Sequence, residues 1–190
     1  MPASGIARGE IFGAAERYIG ERVTQSLAAV DPKLIVQVVD TLLKAPAIFV
    51  YGAGRSGIIG RAFAMRLVQT GLSAYVIGES VTPIVHRGDA VFIVSNRGES
   101  SSSTQTANIV RREGAELIVV TARGTSKLAH AASYLISLDF EEDVVRSSYA
   151  PLGTLFESAA LRLSDALIAE ILVARGESED SMRRRHAIMV

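Results

Sequence analysis

Cysteine is absent from this 190-residue chain, and histidine occurs only three times. Without cysteine there is no disulfide bond, no thiolate metal ligand and no thiol nucleophile. Three scattered histidines exclude the H-E-x-x-H zinc helix and argue against any zinc site, so we expect no metal. No apolar run approaches the roughly 18 residues that span a bilayer, and no signal-peptide pattern opens the chain. We therefore expect a cytoplasmic protein without a membrane partner.

Net charge is also absent, because twenty Lys and Arg balance twenty Asp and Glu. This balance argues against a general electrostatic grip on nucleic acid or on an anionic membrane. The cations are seventeen Arg and three Lys. Arginine offers a planar fork to oxyanions, but a codon bias of the genome would give the same count. With 48% hydrophobic residues, the chain suits one compact domain.

The first 45 residues have patterns that are typical of helix. Apolar residues recur at spacings of three and four between Ile11 and Val23, as on one face of an amphipathic helix. Asp31 and Pro32 resemble an N-cap followed by proline in the first turn, which predicts a second helix to about Lys44. We expect a helical N-terminal extension over residues 1–45.

After residue 45, short apolar runs alternate with helical patterns. Glycines at 71 and 114 stand where helices commonly end. Strands interleaved with helices form parallel sheets that are covered on both faces. The fold class is therefore α/β: a single three-layer α/β/α domain with its core over residues 46–175 and a charged tail over 176–190. The predicted strands are residues 47–51, 74–77, 90–94, 117–120 and 134–138, and the predicted helices are about 58–68, 100–113, 126–132 and 152–175.

Ligands of open parallel sheets bind beyond the carboxyl ends of the strands, where loops meet helix N-termini. Here one such turn, residues 52–57, spells G-x-G-x-x-G, and Glu79 ends the next strand. This is the context of a dinucleotide fingerprint, but any phosphorylated ligand fits the same physics. A tight turn that needs its glycines for steric reasons alone is the structural alternative.

A second turn, residues 95–100, reads Ser-Asn-Arg-Gly-Glu-Ser and runs into further hydroxyl residues. At a helix start, such a turn offers a phosphate side-chain donors, backbone amides and the helix dipole together. A serine-rich surface loop with N-cap candidates is the alternative. A dinucleotide domain would leave this second anion site unexplained.

Several motifs together resemble the sugar isomerase (SIS) domain family, and within it the 6-phospho-3-hexuloisomerases, over nearly the whole chain. The resemblance implies a flavodoxin-like fold and no metal or redox cofactor. It implies the interconversion of D-arabino-3-hexulose 6-phosphate and fructose 6-phosphate, which follows formaldehyde fixation. The motifs are Gly52-Ala-Gly-Arg-Ser-Gly57, Gly78-Glu-Ser-Val-Thr-Pro83, the turn at 95–100, Arg61-Ala-Phe-Ala-Met-Arg-Leu67, Pro151-Leu-Gly-Thr-Leu-Phe-Glu157 and Arg185-His186.

The chain departs from the family pattern at the phosphate turn, where the family usually reads S-G-S-G-x-T. Ser100 in place of threonine keeps the hydroxyl, and Asn96 in place of glycine tolerates left-handed dihedrals. Arg97 replaces a serine that would contact phosphate. Its guanidinium either makes a stronger, bidentate contact or fills the pocket and changes the activity or the substrate.

The expected reaction needs a base beside two carbons, a proton donor for their oxygens and a remote phosphate anchor. The resemblance favours Glu157 as the base, although Thr154-x-x-Glu157 is also a capping box that would occupy the carboxylate. It likewise favours His186 as the proton shuttle for the oxygens or as a stabiliser of the enediolate, although an isolated histidine is more often a surface residue. The tail that contributes it is either frayed or docked on another subunit. The expected substrate contacts are Gly54, Arg55, Ser56, Glu79, Ser95, Arg97, Gly98, Ser100 and Ser101, with Glu79 on sugar hydroxyls. For Arg55, at a helix start, an ion pair with a nearby carboxylate is an equal alternative.

The apolar N-terminal helix has no obvious partner in a three-layer domain, so we expect a homo-oligomer. Family resemblance favours a tetramer over a dimer. Three alternatives to the expected reaction stay open: isomerisation of another phosphosugar, a sugar-phosphate sensing module without turnover, and a dinucleotide-binding fragment. The sensor lacks a segment that would receive its signal, and the fragment lacks residues for a substrate domain.

Overall fold

The computed structural model describes residues 8–188, and a five-stranded sheet lies at its centre. All neighbouring strands are parallel, in the order β2-β1-β3-β4-β5. The predicted parallel sheet is confirmed. The strands are β1 (Ile48–Gly52), β2 (Ala74–Val76), β3 (Ala90–Val94), β4 (Glu116–Thr121) and β5 (Tyr134–Ser137).

Helices connect the strands, and within residues 8–188 none of them is long and apolar enough to cross a membrane. The short helices α6 and α8 were not predicted. Helix α7 begins two residues later than predicted, because Leu152 has a positive φ of 58° and Gly153 is the N-cap. The helices are α1 (Arg8–Ala28), α2 (Pro32–Lys44), α3 (Arg55–Gln69), α4 (Ser101–Glu113), α5 (Lys127–Ala131), α6 (Arg146–Tyr149), α7 (Thr154–Arg175) and α8 (Glu179–Arg184).

Both faces of the sheet are apolar, because consecutive side chains of a strand point to opposite faces. Val50 and Phe92 belong to the core on the side of α2, α3 and α7. Phe49 and Val91 belong to the core on the side of α4 and α5. The predicted three-layer α/β/α sandwich is therefore confirmed.

The strand order changes direction between β1 and β3, which lie side by side in the middle of the sheet. From β1 the chain proceeds to the β2 edge, and from β3 it proceeds toward β5. The two loops that leave the carboxyl ends of this central pair therefore diverge to opposite sides. Such a switch point opens a crevice that parallel α/β folds use for ligands.

Helix α1 lies over α7 and α6 of its own chain, with Val23 fully buried. The Tyr18 hydroxyl donates to Asp143 Oδ2 at 2.8 Å, and Arg22 forms an ion pair with the same carboxylate. The Arg22 guanidinium holds the pKa of Asp143 at about 2. The expectation that this helix lacks a partner within the domain was wrong, so it no longer supports an oligomer.

The tail also docks on its own chain as far as Arg185. Met182 packs against the core, and Ser181 is buried. The Arg185 guanidinium donates to Gln69 O at 3.2 Å and to both carboxylate oxygens of Glu177, at 2.8 and 3.2 Å. The expected choice between a frayed tail and one docked on another subunit was therefore wrong for this segment. His186 follows it and is exposed.

We predict that this tail contact weakens in acid. Hydrogen bonds from Arg185 lower the pKa of Glu177 from 4.5 to about 2. A carboxylate with a lowered folded pKa stabilises the fold above its unfolded pKa, and the contribution is lost as pH falls toward the folded value. The unfolding temperature of Glu177→Gln should lie below that of the wild type at pH 7, and the gap should close between pH 4.5 and 2. A gap that is constant across this range would contradict the assignment.

Candidate functional site

The two predicted phosphate turns meet at the crevice between β1 and β3 and enclose a cavity of about 390 Å³, the first cavity. The turn after β1 contributes Ala53 and Ser56. The turn after β3 contributes Ser95, Asn96, Arg97, Glu99 and Ser100. Residues that are about forty positions apart in the sequence thus face one another, as expected for neighbouring parallel strands.

Glycines in the first turn bring helix α3 close to strand β1. A Cβ on Gly52 would lie 2.8 Å from the Gly57 nitrogen, so neither backbone leaves room for a side chain. Gly54 has a φ of 58° and is the N-cap of α3, without a side-chain cap. Ser56, one residue into the helix, is buried, lines the first cavity and has no hydrogen-bond partner for its hydroxyl within residues 8–188. The glycines of this turn are therefore needed for close packing, and the same turn also lines the cavity of the predicted anion site.

The second turn is fixed from below by β4 and α5. The Asn96 carbonyl accepts hydrogen bonds from Thr121 Oγ1 at 3.1 Å and from the Ala122 amide at 3.0 Å. Gly98 has a φ of 63°, and a Cβ there would lie 2.6 Å from Ser126 Cβ. Only glycine fits this position, and the turn presents its groups to the cavity in a fixed geometry.

The serines of the second turn have different partners. Ser100 is the N-cap of α4: its hydroxyl accepts from the Ser103 amide at 3.1 Å and donates to Ser103 Oγ at 2.7 Å. Ser95 is buried, and within the described part of the chain its hydroxyl has no partner. Ser101 and Ser102 begin the helix, so their amides have no acceptor within it. These amides, the helix dipole and the free hydroxyls favour an anion in the first cavity.

Glu157 is not a helix cap, so the capping-box alternative was wrong. The N-cap position of α7 belongs to Gly153, and the Thr154 hydroxyl donates to the Pro151 carbonyl at 2.6 Å. Only 12% of the Glu157 side chain is exposed, and its Oε2 lies 2.9 Å from Arg55 Nε. The N–H of Arg55 is not aligned with this oxygen, which stays a buried acceptor without a hydrogen bond in residues 8–188. The charge is thus paired while the carboxylate keeps an acceptor free.

Asn96 and Gly153 lie close to the Glu157 carboxylate. A Cβ on Gly153 would lie 2.9 Å from Glu157 Oε1 and 3.0 Å from Asn96 Nδ2, so carboxylate and amide converge on the same point. Both residues line a second cavity of about 300 Å³ next to the first. Sequence reasoning missed these two residues. Asn96 could have been noticed from the sequence, because it stands in the phosphate turn at a position where the family pattern has glycine.

Four of the expected site residues line the first cavity: Ser56, Ser95, Arg97 and Ser100. Five others adjoin or contact residues of its two turns without lining it: Gly54, Arg55, Gly98, Ser101 and Glu157. The remaining two expected site residues lie further away. Glu79 does not line the first cavity, and its carboxylate pairs with Arg61 at 2.9 Å. His186 follows the segment that docks at Gln69, the last residue of α3, whereas Arg55 begins that helix. A helix of 15 residues is about 22 Å long, so His186 is remote from the site of its own subunit.

Arg97 does not fill the first cavity. Its side chain is exposed, lines both cavities and makes no hydrogen bond or ion pair with the residues that the structure describes. Glu99, also on the rim, lies 3.4 Å from Arg123. No group of three or more His, Asp and Glu within residues 8–188 is placed to hold a metal ion.

Comparisons with known proteins agree with this architecture. The SIS domain model matches residues 41–162. The 3-hexulose-6-phosphate isomerase of Methanocaldococcus jannaschii is 34% identical over 148 residues, which cover 78% of this chain and 79% of the relative. The 3-hexulose-6-phosphate isomerase of Bacillus subtilis is 32% identical over 177 residues, or 90% and 96% of the two chains.

Solved structures give the same result. A hypothetical protein of known crystal structure has a TM-score of 0.90 at 33% identity, over 94% of this chain and 97% of its own. A Methanococcus jannaschii protein, for which the function of 3-hexulose-6-phosphate isomerase was inferred, has a TM-score of 0.82 at 28% identity, over 90% and 97%. These matches, together with the site at the carboxyl ends of β1 and β3, show that this chain belongs to the SIS domain family.

Proposed function

We propose that this protein is a 3-hexulose-6-phosphate isomerase, which interconverts D-arabino-3-hexulose 6-phosphate and fructose 6-phosphate. The observation that carries the proposal is an anion cavity next to a buried carboxylate: Ser56 and Ser95 have free hydroxyls in the cavity, and Glu157 lies beside Asn96, which lines the same cavity. The relatives named for this activity cover most of the chain and support it.

The first cavity anchors the phosphate. The hydroxyls of Ser56 and Ser95, the amides at Gly98 and Ser101 and the dipole of α4 all favour a doubly charged group there. Ser100 contributes by fixing the start of that helix rather than by its own occupied hydroxyl. Holding a group that does not react restricts the sugar chain and orients its carbons for proton transfer.

Glu157 is the base. It removes the proton from C2 of the 3-ketose, the electron pair becomes the C2–C3 double bond of an enediolate, and the same proton carrier protonates C3 while the carbonyl forms at C2. Arg55 Nε, 2.9 Å from Oε2, forms an ion pair with the carboxylate and holds it in place. General acid–base help of this kind is worth about 10²–10⁴ in rate.

His186 moves the hydroxyl proton between O2 and O3 in this proposal. Because it lies far from the site of its own subunit, it serves a second copy of the chain. A homo-oligomer is therefore part of the proposal, with a tetramer favoured over a dimer by the family resemblance. Glu79 lies on the outer side of α3, where it pairs with Arg61, and we assign its sugar contact to the same assembled state.

A second candidate is the isomerisation of another phosphosugar. The observation that favours it is Arg97, an exposed and unpaired guanidinium in the wall of the first cavity, where the family pattern has serine. A guanidinium selects among sugar phosphates by charge and by bidentate geometry.

Deuterium exchange tests the proposed reaction. The purified protein is incubated with fructose 6-phosphate in deuterium oxide, and proton NMR follows the carbon-bound hydrogens. We expect exchange at C3 together with the signals of the 3-ketose. Exchange at C1 with formation of an aldose would favour the second candidate, and the absence of any exchange would contradict the proposed reaction.

Substitution of Ser95 tests the phosphate anchor. We expect Ser95→Ala to raise KM for fructose 6-phosphate about tenfold with a smaller change in kcat, because a hydrogen bond to a charged group is worth about 1.5–3 kcal/mol. Thr125→Ala is the matched control, since Thr125 is exposed and lines neither cavity. Equal KM values for the two variants would remove Ser95 from the anchor.

A further inference from the structure

The second cavity, of about 300 Å³, brings together three arginines from separate segments. Arg97 lies in the turn after β3, Arg123 follows β4, and Arg146 begins α6. Asn96 and Arg97 form a wall that the two cavities share. The second cavity therefore offers an anion guanidinium groups, whereas the first offers mainly serine hydroxyls. Only Asn96 and Arg97 belong to both.

Charge in the second cavity is unbalanced. Its lining has three guanidinium groups and one carboxylate, Glu142, which forms an ion pair with Arg146. The Arg146 side chain is 19% exposed, whereas that of Glu142 is 82% exposed and lies at the rim. Arg123 faces Glu99 at 3.4 Å, and Arg97 has no partner within residues 8–188. Three guanidinium groups that line one cavity repel one another, so a bound anion would relieve the repulsion.

We propose that the second cavity binds a second anionic group, phosphate or carboxylate, of a sugar phosphate whose first phosphate lies in the first cavity. The ligand class is thus a sugar bisphosphate or a phosphorylated sugar acid, as substrate or as competitor of the monophosphate. This inference rests on the proposed function only for the position of the first phosphate. Arg97, which replaces a serine of the family pattern and lines both cavities, stands between the two anionic groups.

With a monophosphate bound, Arg123 and Arg146 keep only their ion pairs with Glu99 and Glu142 at the rim, whereas a second anionic group adds a partner inside the cavity. Pairs between a guanidinium and a phosphate or carboxylate are among the stronger hydrogen bonds in proteins, and bidentate geometry adds specificity. We therefore expect a preference of about tenfold or more for a ligand with two anionic groups.

Isothermal titration calorimetry on the full-length protein, at one fixed salt concentration, tests the inference. The ligands are fructose 6-phosphate, fructose 1,6-bisphosphate and 6-phosphogluconate, so that the last two distinguish phosphate from carboxylate as the second group. We expect one or both to bind about tenfold more tightly than the monophosphate. In Arg123→Gln and Arg146→Gln this preference should fall to less than about threefold, with the Kd of fructose 6-phosphate within twofold of the wild-type value.

Two variants keep the experiment decisive. Arg123 is largely exposed, so Arg123→Gln tests the cavity without disturbing the packing around Arg146. Arg112→Gln, at the far end of α4, is the control and should keep the full preference. Equal affinity for all three ligands, or a preference that survives in both cavity variants, would overturn this inference while leaving the proposed function intact. Failure to bind any of the three would contradict both.

Discussion

Replacement of Glu157 by glutamine should lower kcat for fructose 6-phosphate by about 10³, within the range of 10²–10⁴ that general base catalysis supplies. Glutamine has nearly the same shape but cannot accept the proton from carbon. KM should change less than about threefold, because the phosphate contacts of Ser56 and Ser95 are untouched. Steady-state kinetics coupled to formation of the 3-ketose measures both constants.

The stability of Glu157→Gln separates the role of the carboxylate in catalysis from a role in folding. Oε2 of Glu157 is buried without a hydrogen bond. Within residues 8–188, Arg55 is the one cation at ion-pair distance from this carboxylate. A neutral amide is easier to bury than a carboxylate, so the unfolding temperature should stay constant or rise. Loss of activity together with a large loss of stability would contradict this interpretation.

Glu170→Gln is the matched control for Glu157→Gln. It lies on the same helix, 13 positions further along, or about 20 Å from the site, and it is exposed. Its kcat and KM should equal those of the wild type. If Glu157→Gln turned over as fast as this control, Glu157 would not be the base, and the phosphate cavity would support binding without the proposed chemistry.

The sheet and its switch point could be predicted from the sequence because they depend on local signals. Each strand is a short apolar run that ends in glycine or a polar residue, and Asp31-Pro32 is the start of a helix as expected. The caps of α2 and α4 follow from the same local rules. Once β1 and β3 are parallel neighbours in the sheet, their carboxyl ends lie side by side, and this does not depend on how the helices pack.

Contacts between elements could not be predicted in this way. Helix α1 packs on α7 and α6, with Val23 in the core and Tyr18 against Tyr149 of α6. No pattern within residues 8–28 indicates these partners. The capping-box pattern at Thr154 suggested a local role for Glu157, but the turn at Leu152 moves the start of α7 and aims the carboxylate at Arg55 instead. A capping motif predicts the role of a side chain only if the helix begins where the motif places it, and here the helix begins elsewhere.

The neighbourhood of Gly153 was hidden for the same reason. Its importance lies in the approach of Asn96 from the β3 turn, about 57 positions earlier in the chain. The backbone does not explain the glycine, because a φ of −92° and a ψ of 10° are open to any residue. Glycine is needed at position 153 because a side chain there would collide with Glu157 and Asn96.

Substitution of Gly153 by alanine should therefore impair catalysis far more than folding. The new methyl group would lie 2.9 Å from Glu157 Oε1 and 3.0 Å from Asn96 Nδ2, closer than carbon approaches such atoms, so the carboxylate must move. A misplacement of about 1 Å can cost about 10² in rate, and we expect kcat to fall by this amount. KM should change by less than about fivefold, because the serine hydroxyls do not contact the methyl group.

Gly20→Ala is the control for the effect of an added methyl group. A Cβ on Gly20, inside α1, meets no atom within 4 Å, so activity should be unchanged and the free energy of unfolding should rise by about 0.5–1 kcal/mol.

The double variant Asn96→Ser with Gly153→Ala identifies the cause. Serine is shorter than asparagine, so the methyl group can shift toward the vacated space and away from the carboxylate, and part of the lost kcat should be recovered relative to Gly153→Ala alone. Full activity in Gly153→Ala would mean that the carboxylate position seen beside Arg55 is not the one used in catalysis. Equal losses in the single and double variants would instead place the damage in the start of α7, and the close approach of Asn96 and Glu157 would have no part in the reaction.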